Sequence, residues 1–268
     1  MSAARRRDTI LHLSDVHATR GELLYGQVDG LARLDEVGDY VVAAGLTPEA
    51  VVVTGDLIER GHADAYPELA QALARLGSRV RAPVLTILGN HDEPGPAAAL
   101  PGHDGHAGRH HRTAHVGGLR LVLLDSSRGA LGPDQLAWLR EELREPFGRG
   151  TVLALHHPPV PSPLPALARA CLADAADLAG VLAGSDVRLV LAGHYHHAMS
   201  ATFAGVPVAV GPSLAYQQVM NAGPGRVSGY DRPMFSLVHV TDDAITCAPV
   251  PIGAPVPLFS QPVPLPAS

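Results

Sequence analysis

The chain has 268 residues, a net charge of -6, 46% hydrophobic residues and 17% charged residues. Its length is sufficient for one domain with a sizeable core, and its composition excludes a disordered acidic or basic polymer. The acidic balance gives no reason to bind a polyanion, so we expect no nucleic-acid partner.

The amino terminus carries a basic cluster at Arg5, Arg6 and Arg7, but no apolar segment of a secretory signal follows before Asp15. No apolar stretch approaches the roughly 20 residues that span a bilayer. The only cysteines, two in number, lie far apart in the chain and predict no disulfide framework. We therefore expect a cytoplasmic protein without a transmembrane segment.

Six apolar runs each end in a polar or glycine-containing cluster. In chain order they are TILHLSDVH, AVVVTGDL, VLTILGNHD, LRLVLLDSS, TVLALHHPP and VRLVLAGHYHH. Helical patterns lie between many of them, most clearly at Leu31–Ala44, Ala65–Leu76 and Pro133–Leu143. This order predicts an α/β fold rich in βαβ units, with helices covering the sheets and the apolar strands buried on both faces.

The pattern changes after Ala201, where FAGVPVAVGPS and MFSLVHVTDDAITCAPV alternate apolar and polar residues. We expect antiparallel strands here that complete the sheet system. The segment 251–268 is proline-rich, cannot sustain a helix, and is predicted to be an extended arm or a loose tail. The expected organisation is therefore one domain over residues 1–250 and a C-terminal extension over 251–268.

Aspartate, asparagine and histidine residues follow the predicted strands. They are Asp15, His17, Asp56, Asn90, His91, His156, His157, His194, His196 and His197. Each has an ordinary explanation when taken alone: a helix cap, a turn residue, an Asx-turn or a strand terminator. Carboxylate, imidazole and amide groups at five strand ends of one sheet edge are explained together by a metal centre.

The ordered series Asp-x-His, Gly-Asp, Gly-Asn-His-Asp, His-His-Pro-Pro and Gly-His-x-His resembles the calcineurin-like metallophosphoesterase superfamily. The match runs from Ile10 to His197. SDVHATRGELLYGQVDGLARLD, HHPPVPSPLP and GHYHHAMSATFAGVPVAVGPS are most similar to the class III cyclic nucleotide phosphodiesterases, typified by bacterial 3',5'-cyclic AMP phosphodiesterase. The resemblance implies a four-layer αββα sandwich, in which mixed sheets are flanked by helices, and a dinuclear metal site.

The resemblance also assigns metal ligands by motif position. The first ion, usually iron or manganese, would be held by Asp15, His17, Asp56 and His196. The second ion would be held by Asp56 as a bridge together with Asn90, His156 and His194. Iron and manganese are the expected pair, with zinc as a further option. The first histidine of HHPP is assigned as the ligand, which leaves His157 as its neighbour.

The implied activity is that of a metal-dependent phosphoric diester hydrolase, which converts 3',5'-cyclic nucleotides, chiefly cyclic AMP, to 5'-monophosphates by attack of a metal-bridging hydroxide. Asn90 and His91 are the expected catalytic residues; His91 either protonates the leaving oxygen or only orients its neighbours. The residues expected to meet the substrate are His17, Asp56, Asn90, His91 and His196. Two alternatives are a phosphodiesterase of 2',3'-cyclic nucleotides or glycerophosphodiesters, and a non-catalytic metal-holding module.

Two further segments leave alternatives open. PGHDGHAGRHHRTAH contains His103, His106, His110, His111 and His115; its glycines and irregular spacing favour a solvated loop over a second metal site. YQQVM, at 216–220, is interpreted as lining the substrate pocket or a dimer contact. A homodimer is compatible with the sequence, which shows no obvious interface.

Overall fold

The computed structural model describes residues 7–103, 110–223 and 225–253. The strands in these residues are β1 (Asp8–Leu13), β2 (Ala50–Thr54), β3 (Val84–Ile87), β4 (Arg112–Val116), β5 (Leu119–Leu123), β6 (Thr151–Ala154), β7 (Val187–Ala192), β8 (Met199–Phe203), β9 (Val206–Val210), β10 (Gln217–Gln218), β11 (Gly229–Tyr230), β12 (Met234–Val240) and β13 (Ile245–Pro251). The α-helices are α1 (Gly30–Ala43), α2 (Tyr66–Val80), α3 (Pro94–Ala97), α4 (Pro133–Glu142) and α5 (Ala175–Leu182).

Two large mixed sheets form the centre of the fold. The first has the order β13-β12-β1-β2-β3, and the second has the order β4-β5-β6-β7-β9-β8. Strands β1, β2 and β3 are parallel, as are β5, β6 and β7. The carboxyl ends of neighbouring parallel strands lie at the same sheet edge, so the loops after these six strands can meet.

The fold has four layers, helices, sheet, sheet and helices, and an apolar cluster fills each of the three spaces between them. The first cluster joins α1 and α2 to the outer face of the first sheet, through residues such as Leu34, Leu69 and Val53. The second joins α4 and α5 to the second sheet. The third lies between the sheets and contains Ile10 and Leu121. The predicted four-layer αββα sandwich is confirmed, and burial on both faces explains why the central strands are almost continuously apolar.

The predicted helices form with small differences at their ends. Asp29 caps α1 by accepting hydrogen bonds from the backbone N–H groups of Leu31 and Ala32, both at 3.0 Å. Helix α2 continues four residues beyond the predicted Leu76, because the backbone leaves the helical region only at Arg81, which has a φ of 58°.

The late strands are antiparallel in most of their pairings, as predicted. β12 pairs antiparallel with β1 and β13, and β8 with β9, but β9 also runs parallel to β7. β13 ends at Pro251, one residue past the predicted domain boundary. Residues 254–268 of the proline-rich extension lie outside the described residues. Among the residues described, no helix is long and apolar enough to cross a membrane.

Candidate metal centre

The seven predicted metal ligands come together where the carboxyl ends of the two sheets meet. They follow β1 (Asp15, His17), β2 (Asp56), β3 (Asn90), β6 (His156) and β7 (His194, His196). Backbone hydrogen bonds join these loops directly: Asp15 N donates to the Gly55 carbonyl at 3.1 Å, and His17 N donates to the Asp56 carbonyl at 2.9 Å. These hydrogen bonds hold the loops after β1 and β2 side by side.

Five of the seven predicted ligands have positive φ angles, which non-glycine residues adopt only at a cost. The angles are 54° for Asp15, 47° for His17, 47° for Asp56, 74° for His194 and 52° for His196. Such left-handed residues cost of order 1–3 kcal/mol each and persist where surrounding structure enforces them, commonly at functional sites. Their concentration at one sheet edge favours a functional role for that edge.

Two glycines allow the close approach of these loops. A Cβ at Gly55 would lie 2.6 Å from His156 Nδ1, and a Cβ at Gly89 would lie 2.3 Å from the backbone N of Asp56. Gly55 also has a φ of 84°. The glycines of the TGD and GNHD motifs are therefore required by packing around the site.

The first donor cluster contains Asp15, His17, Asp56 and His196, all with side chains almost fully buried. The Nε2 atoms of His17 and His196 are 3.1 Å apart. His196 Nε2 lies 3.3 Å from Asp15 Oδ1, and His17 Nε2 lies 3.7 Å from Asp56 Oδ2. Four donor atoms thus point at one small volume.

The second donor cluster is centred on His156. Its Nε2 atom lies 3.0 Å from Asn90 Oδ1, 3.1 Å from His194 Nδ1 and 3.4 Å from Asp56 Oδ1. Asp56 therefore presents Oδ1 to this cluster and Oδ2 to the first one. This is the placement that a bridging carboxylate requires.

Three histidines of the site have the tautomer that leaves Nε2 available to bind a cation. The Nδ1 atoms of His17, His156 and His196 face oxygens that only accept: Glu59 Oε2 at 2.7 Å, the Thr54 carbonyl at 2.8 Å and the Tyr216 carbonyl at 3.1 Å. Each Nδ1 must carry a proton to donate to its oxygen. In the neutral ring, Nε2 is therefore unprotonated and has a lone pair. These lone pairs converge with carboxylate and amide oxygens, and a metal ion satisfies all of them.

The buried charges alter the pKa values of the ligands. Burial opposes ionisation of Asp15 and Asp56, but neighbouring histidines, His196 beside Asp15 and His156 beside Asp56, hold both pKa values below the usual range. Burial, together with His156, lowers the pKa of His194 to about 3. Carboxylates that stay ionised and an imidazole that stays neutral are the protonation states in which these groups bind metal.

Glu59, which has no place in the sequence motifs, lies beside the donor clusters and forms a group of possible metal donors with His17 and His91. Its Oε2 lies 2.7 Å from Nδ1 of His17, and its Oε1 lies 3.2 Å from Nδ1 of His91. The carboxylate thus orients a predicted ligand and the predicted acid–base residue together, as hydrogen-bonded partners of metal-bound histidines commonly do. Its position three residues after Asp56 is the only signal in the sequence, and nothing there distinguishes it from a surface glutamate.

Asp92, the last residue of the GNHD motif, organises the loops without facing the donor clusters. Its carboxylate accepts hydrogen bonds from the backbone N–H groups of Gly89, Leu57 and Ile58 and from the Tyr66 hydroxyl, at 2.8–3.2 Å. Burial raises its pKa to about 7. Asp92 therefore ties the loop after β2 to the loop after β3, which carry Asp56 and Asn90.

His157 lies beside the second cluster. His156 directs Nε2 toward Asn90, whereas the ring of His157 packs 4.4 Å from the ring of His194. The backbone N–H groups of both histidines donate to Ser126 Oγ, at 3.1 and 3.0 Å. His156, His157 and His194 form one group of possible metal donors, so the choice of His156 over His157 as the ligand stays a prediction.

The histidine-rich segment differs from its prediction. His103 and His110 are buried, with their Nδ1 atoms 3.2 Å apart and His103 Nε2 2.8 Å from Thr86 Oγ1. A fully solvated loop was therefore the wrong prediction for these two residues, because β3 supplies a buried polar partner. No donor cluster among the described residues includes any histidine of this segment, and His106 lies outside those residues.

A family model of the calcineurin-like phosphoesterases matches residues 8–198. The chain belongs to this family. A relative from Rhodococcus erythropolis named "Probable cyclic nucleotide phosphodiesterase" is 42% identical, over 94% of this chain and 86% of its own. A "cAMP/cGMP dual specificity phosphodiesterase" from Mycobacterium tuberculosis is 38% identical, over 91% of this chain and 79% of its own.

Solved structures agree on the fold. A dimetal phosphatase from Danio rerio superposes with a TM-score of 0.63 at 14% sequence identity, over 91% of this chain and 98% of its own. The resemblance stated from the sequence motifs is therefore confirmed, and the chain is an enzyme of the phosphoesterase class. Three groups of side chains at this edge could hold a metal ion: Asp15, His17, Asp56 and His196; His156, His157 and His194; and His17, Glu59 and His91.

Proposed function

We propose that this phosphoesterase hydrolyses 3',5'-cyclic nucleotides, with cyclic AMP as the first candidate, to 5'-monophosphates. The observation that carries the proposal is the position of Asp56, whose two oxygens face His17 and His156 of the two donor clusters, with His91 beside them. The names of the two relatives, both cyclic nucleotide phosphodiesterases, support this substrate class.

The donor set fits two divalent or trivalent cations, and iron with manganese suits its nitrogen and oxygen atoms, with zinc as an alternative. Asp15, His17 and His196 would hold one ion, Asn90, His156 and His194 the other, and Asp56 both. Such a pair of ions supplies a nucleophile at neutral pH and neutralises the charge of the phosphodiester. The substrate phosphate would lie against His17, Asp56, Asn90, His91 and His196.

His91 is placed to give a proton to the leaving oxygen. Its Nδ1 lies 3.2 Å from Glu59 Oε1 and 3.3 Å from the backbone N of Arg60, and the charged carboxylate is the stronger partner. Burial lowers the pKa of His91, but the Glu59 hydrogen bond and the charge of Asp56 outweigh burial and raise it. Nε2, which lies 4.0 Å from Asp56 Oδ2, would then hold the transferable proton.

We further propose that the enzyme acts in the cytoplasm. Cys171 and Cys247 are both free, which suits a reducing compartment. The domain assignment, residues 1–250 for the catalytic domain and 251–268 for an extension, is retained as a proposal, and so is a homodimer.

The test is a comparison of four phosphodiesters with the manganese-loaded protein: 3',5'-cyclic AMP, 2',3'-cyclic AMP, glycerophosphocholine and bis(p-nitrophenyl) phosphate. We expect the highest kcat/KM with 3',5'-cyclic AMP. A preference for 2',3'-cyclic AMP or glycerophosphocholine would replace the substrate class and keep the metal centre. A metal-loaded protein that hydrolyses none of the four would refute the proposed function.

A further inference from the structure

A cavity of about 370 Å³ opens beside the metal centre. One wall is the loop before α1, which contributes Tyr25 and Gln27, and the other is the β10–β11 hairpin, which contributes Val227, Tyr230 and Asp231. The volume falls within the range of about 300–1,000 Å³ that small-molecule pockets occupy. No residue of this cavity belongs to the donor clusters found in the described chain.

Tyr216 forms the boundary between the cavity and the metal centre. Its ring centroid lies 4.2 Å from that of His196 and 6.1 Å from that of His17, and its carbonyl accepts from Nδ1 of His196 at 3.1 Å. Only the ring of Tyr216 therefore separates the cavity from a ligand phosphate bound at the donor clusters.

The cavity places aromatic and apolar side chains in contact with solvent. Tyr25 is 71% exposed, Val227 56% and Tyr230 45%. Tyr25 also has a φ of 53°, in the left-handed region, and its ring packs edge-on to Tyr216 with centroids 5.6 Å apart. Exposed apolar groups gathered at one place commonly mark a binding surface, and tyrosine rings offer flat π faces to a planar ligand.

The walls of the cavity are braced from outside. The guanidinium of Arg33 on α1 donates to both carboxylate oxygens of Asp231, at 3.0 and 3.2 Å. A Cβ at Gly229 would lie 2.5 Å from Tyr216 Cδ2, so only glycine lets the hairpin approach the ring. Braced walls cost less to order when a ligand binds, which favours a binding role over a mobile flap.

The side-chain amide oxygen of Gln218 is buried next to this boundary. The backbone N–H of Gln218 donates to the His196 carbonyl at 2.7 Å, which fixes Gln218 beside a metal ligand. Its Oε1 is buried and has no hydrogen-bond partner among the described residues. A buried acceptor without a partner is costly, and Gln218 pairs with Gly229 of the cavity wall.

We propose that this cavity binds the nucleobase of the substrate, with Tyr25 and Tyr230 stacking on the base; the proposal rests on the cyclic nucleotide activity proposed above. A base is planar, aromatic and joined through a ribose to the phosphate, which matches a tyrosine-lined cavity adjoining a phosphate site. Stacking tolerates different bases because every base has a π face, so the cavity selects nucleotides over base-free diesters more than it selects among bases.

The experiment is calorimetric binding of 5'-AMP and ribose 5-phosphate to the manganese-loaded protein, with hydrolysis of 3',5'-cyclic AMP measured on the same preparations. The variants are Tyr25→Ala, Tyr230→Ala and their combination. Leu23→Ala is the matched control, because Leu23 is an exposed apolar residue of the same loop that does not line the cavity.

We expect 5'-AMP to bind about tenfold more tightly than ribose 5-phosphate, in keeping with stacking on one or two rings. The double variant should lose this preference, and Leu23→Ala should keep it. Equal affinities in the unmodified protein, or a preference that survives the double variant, would overturn the proposal. So would a double variant that changes only the oligomeric state in light scattering, since the patch would then be a contact between copies of the chain.

The two proposals fail in different ways. A protein that prefers 5'-AMP through Tyr25 and Tyr230 but does not hydrolyse 3',5'-cyclic AMP would retain the base site and refute the proposed substrate. A protein that hydrolyses 3',5'-cyclic AMP without a preference for 5'-AMP over ribose 5-phosphate would retain the activity and refute the base site.

Discussion

The molecule contains two concentrations of histidine that differ in what surrounds them. At the metal centre, His17, His156 and His196 each donate Nδ1–H to a fixed oxygen and turn Nε2 toward carboxylates. In the histidine-rich segment, His103 and His110 face each other and Thr86.

The other described histidines of that segment are packed against aromatic rings. His111 lies against Trp138 and His115 stacks on Phe147, with ring centroids 4.5 and 4.4 Å apart. Histidine content alone therefore does not make a metal site. Buried carboxylates and anchored imidazole tautomers separate the two regions, because a cation needs negative charge and correctly directed lone pairs.

Asp56→Asn should give the largest effect. The amide is neutral and presents one oxygen, so it cannot serve both donor clusters as the carboxylate can. We expect phosphodiesterase activity to fall by at least about 10⁴-fold, beyond the contribution of one acid–base group, with loss of bound metal. Elemental analysis and activity assays check this. His103→Gln is the control and should retain both ions; retention of both by Asp56→Asn would contradict the bridging role.

His91→Ala should separate acid–base chemistry from metal binding. We expect kcat to fall by about 10²–10⁴-fold, the usual contribution of a general acid, while both metal ions stay bound. Metal content and kcat are measured on one preparation. Loss of both ions from this variant would show that His91 holds the metal centre together instead of moving a proton.

Glu59→Gln should have a smaller effect. The amide keeps the size of the side chain but weakens its hydrogen bonds to His17 and His91, and such changes cost about 10–100-fold in metal affinity or activity. Metal titration and kcat/KM across pH check this. Glu22→Gln is the matched control, because Glu22 pairs with the histidine His62 outside the donor clusters. Equal metal affinity and equal kcat/KM in the two variants would show that Glu59 supports neither metal binding nor catalysis.

The smallest effect concerns the stability of the histidine-rich segment. Burial, with Arg112, lowers the pKa of His103 to about 4 in the folded protein, below its ordinary value of 6.5. Between pH 6.5 and pH 4, His103 therefore binds a proton in the unfolded chain but not in the folded one. The stability that His103 contributes is full above pH 6.5 and is lost as the pH falls from 6.5 toward 4.

Urea denaturation of the metal-free protein and of His103→Gln, at pH 7.5 and pH 5, tests this assignment. The free energy of unfolding should fall more steeply with acid in the unmodified protein, by roughly 1–3 kcal/mol relative to the variant. Parallel losses in the two proteins would show that His103 is as easily protonated when folded as when unfolded.

The sequence predicted the layered fold and the convergence of the site residues because both depend on local signals. Apolar runs ending in Gly-Asp, Gly-Asn-His-Asp or His-His-Pro-Pro mark strands and the loops after them, and parallel strands bring those loops to one edge. The domain boundary and the assignment of each metal ligand stay predictions. Truncated chains would test the boundary, and metal analysis of variants would test the ligands.

Three features were decided only by the tertiary structure. Glu59 has no motif of its own, and its importance arises because the loop after β2 turns it toward His17 and His91. His103 is buried against Thr86 of β3, and His110 is buried against His103.

The tyrosine-lined cavity joins Tyr25 and Tyr230, which lie far apart in the chain. Sequence determines which residues end a strand, because strand signals lie within a few neighbouring positions. Which distant side chains share a hydrogen bond or a cavity wall depends on packing across layers, and a single sequence carries no local record of it.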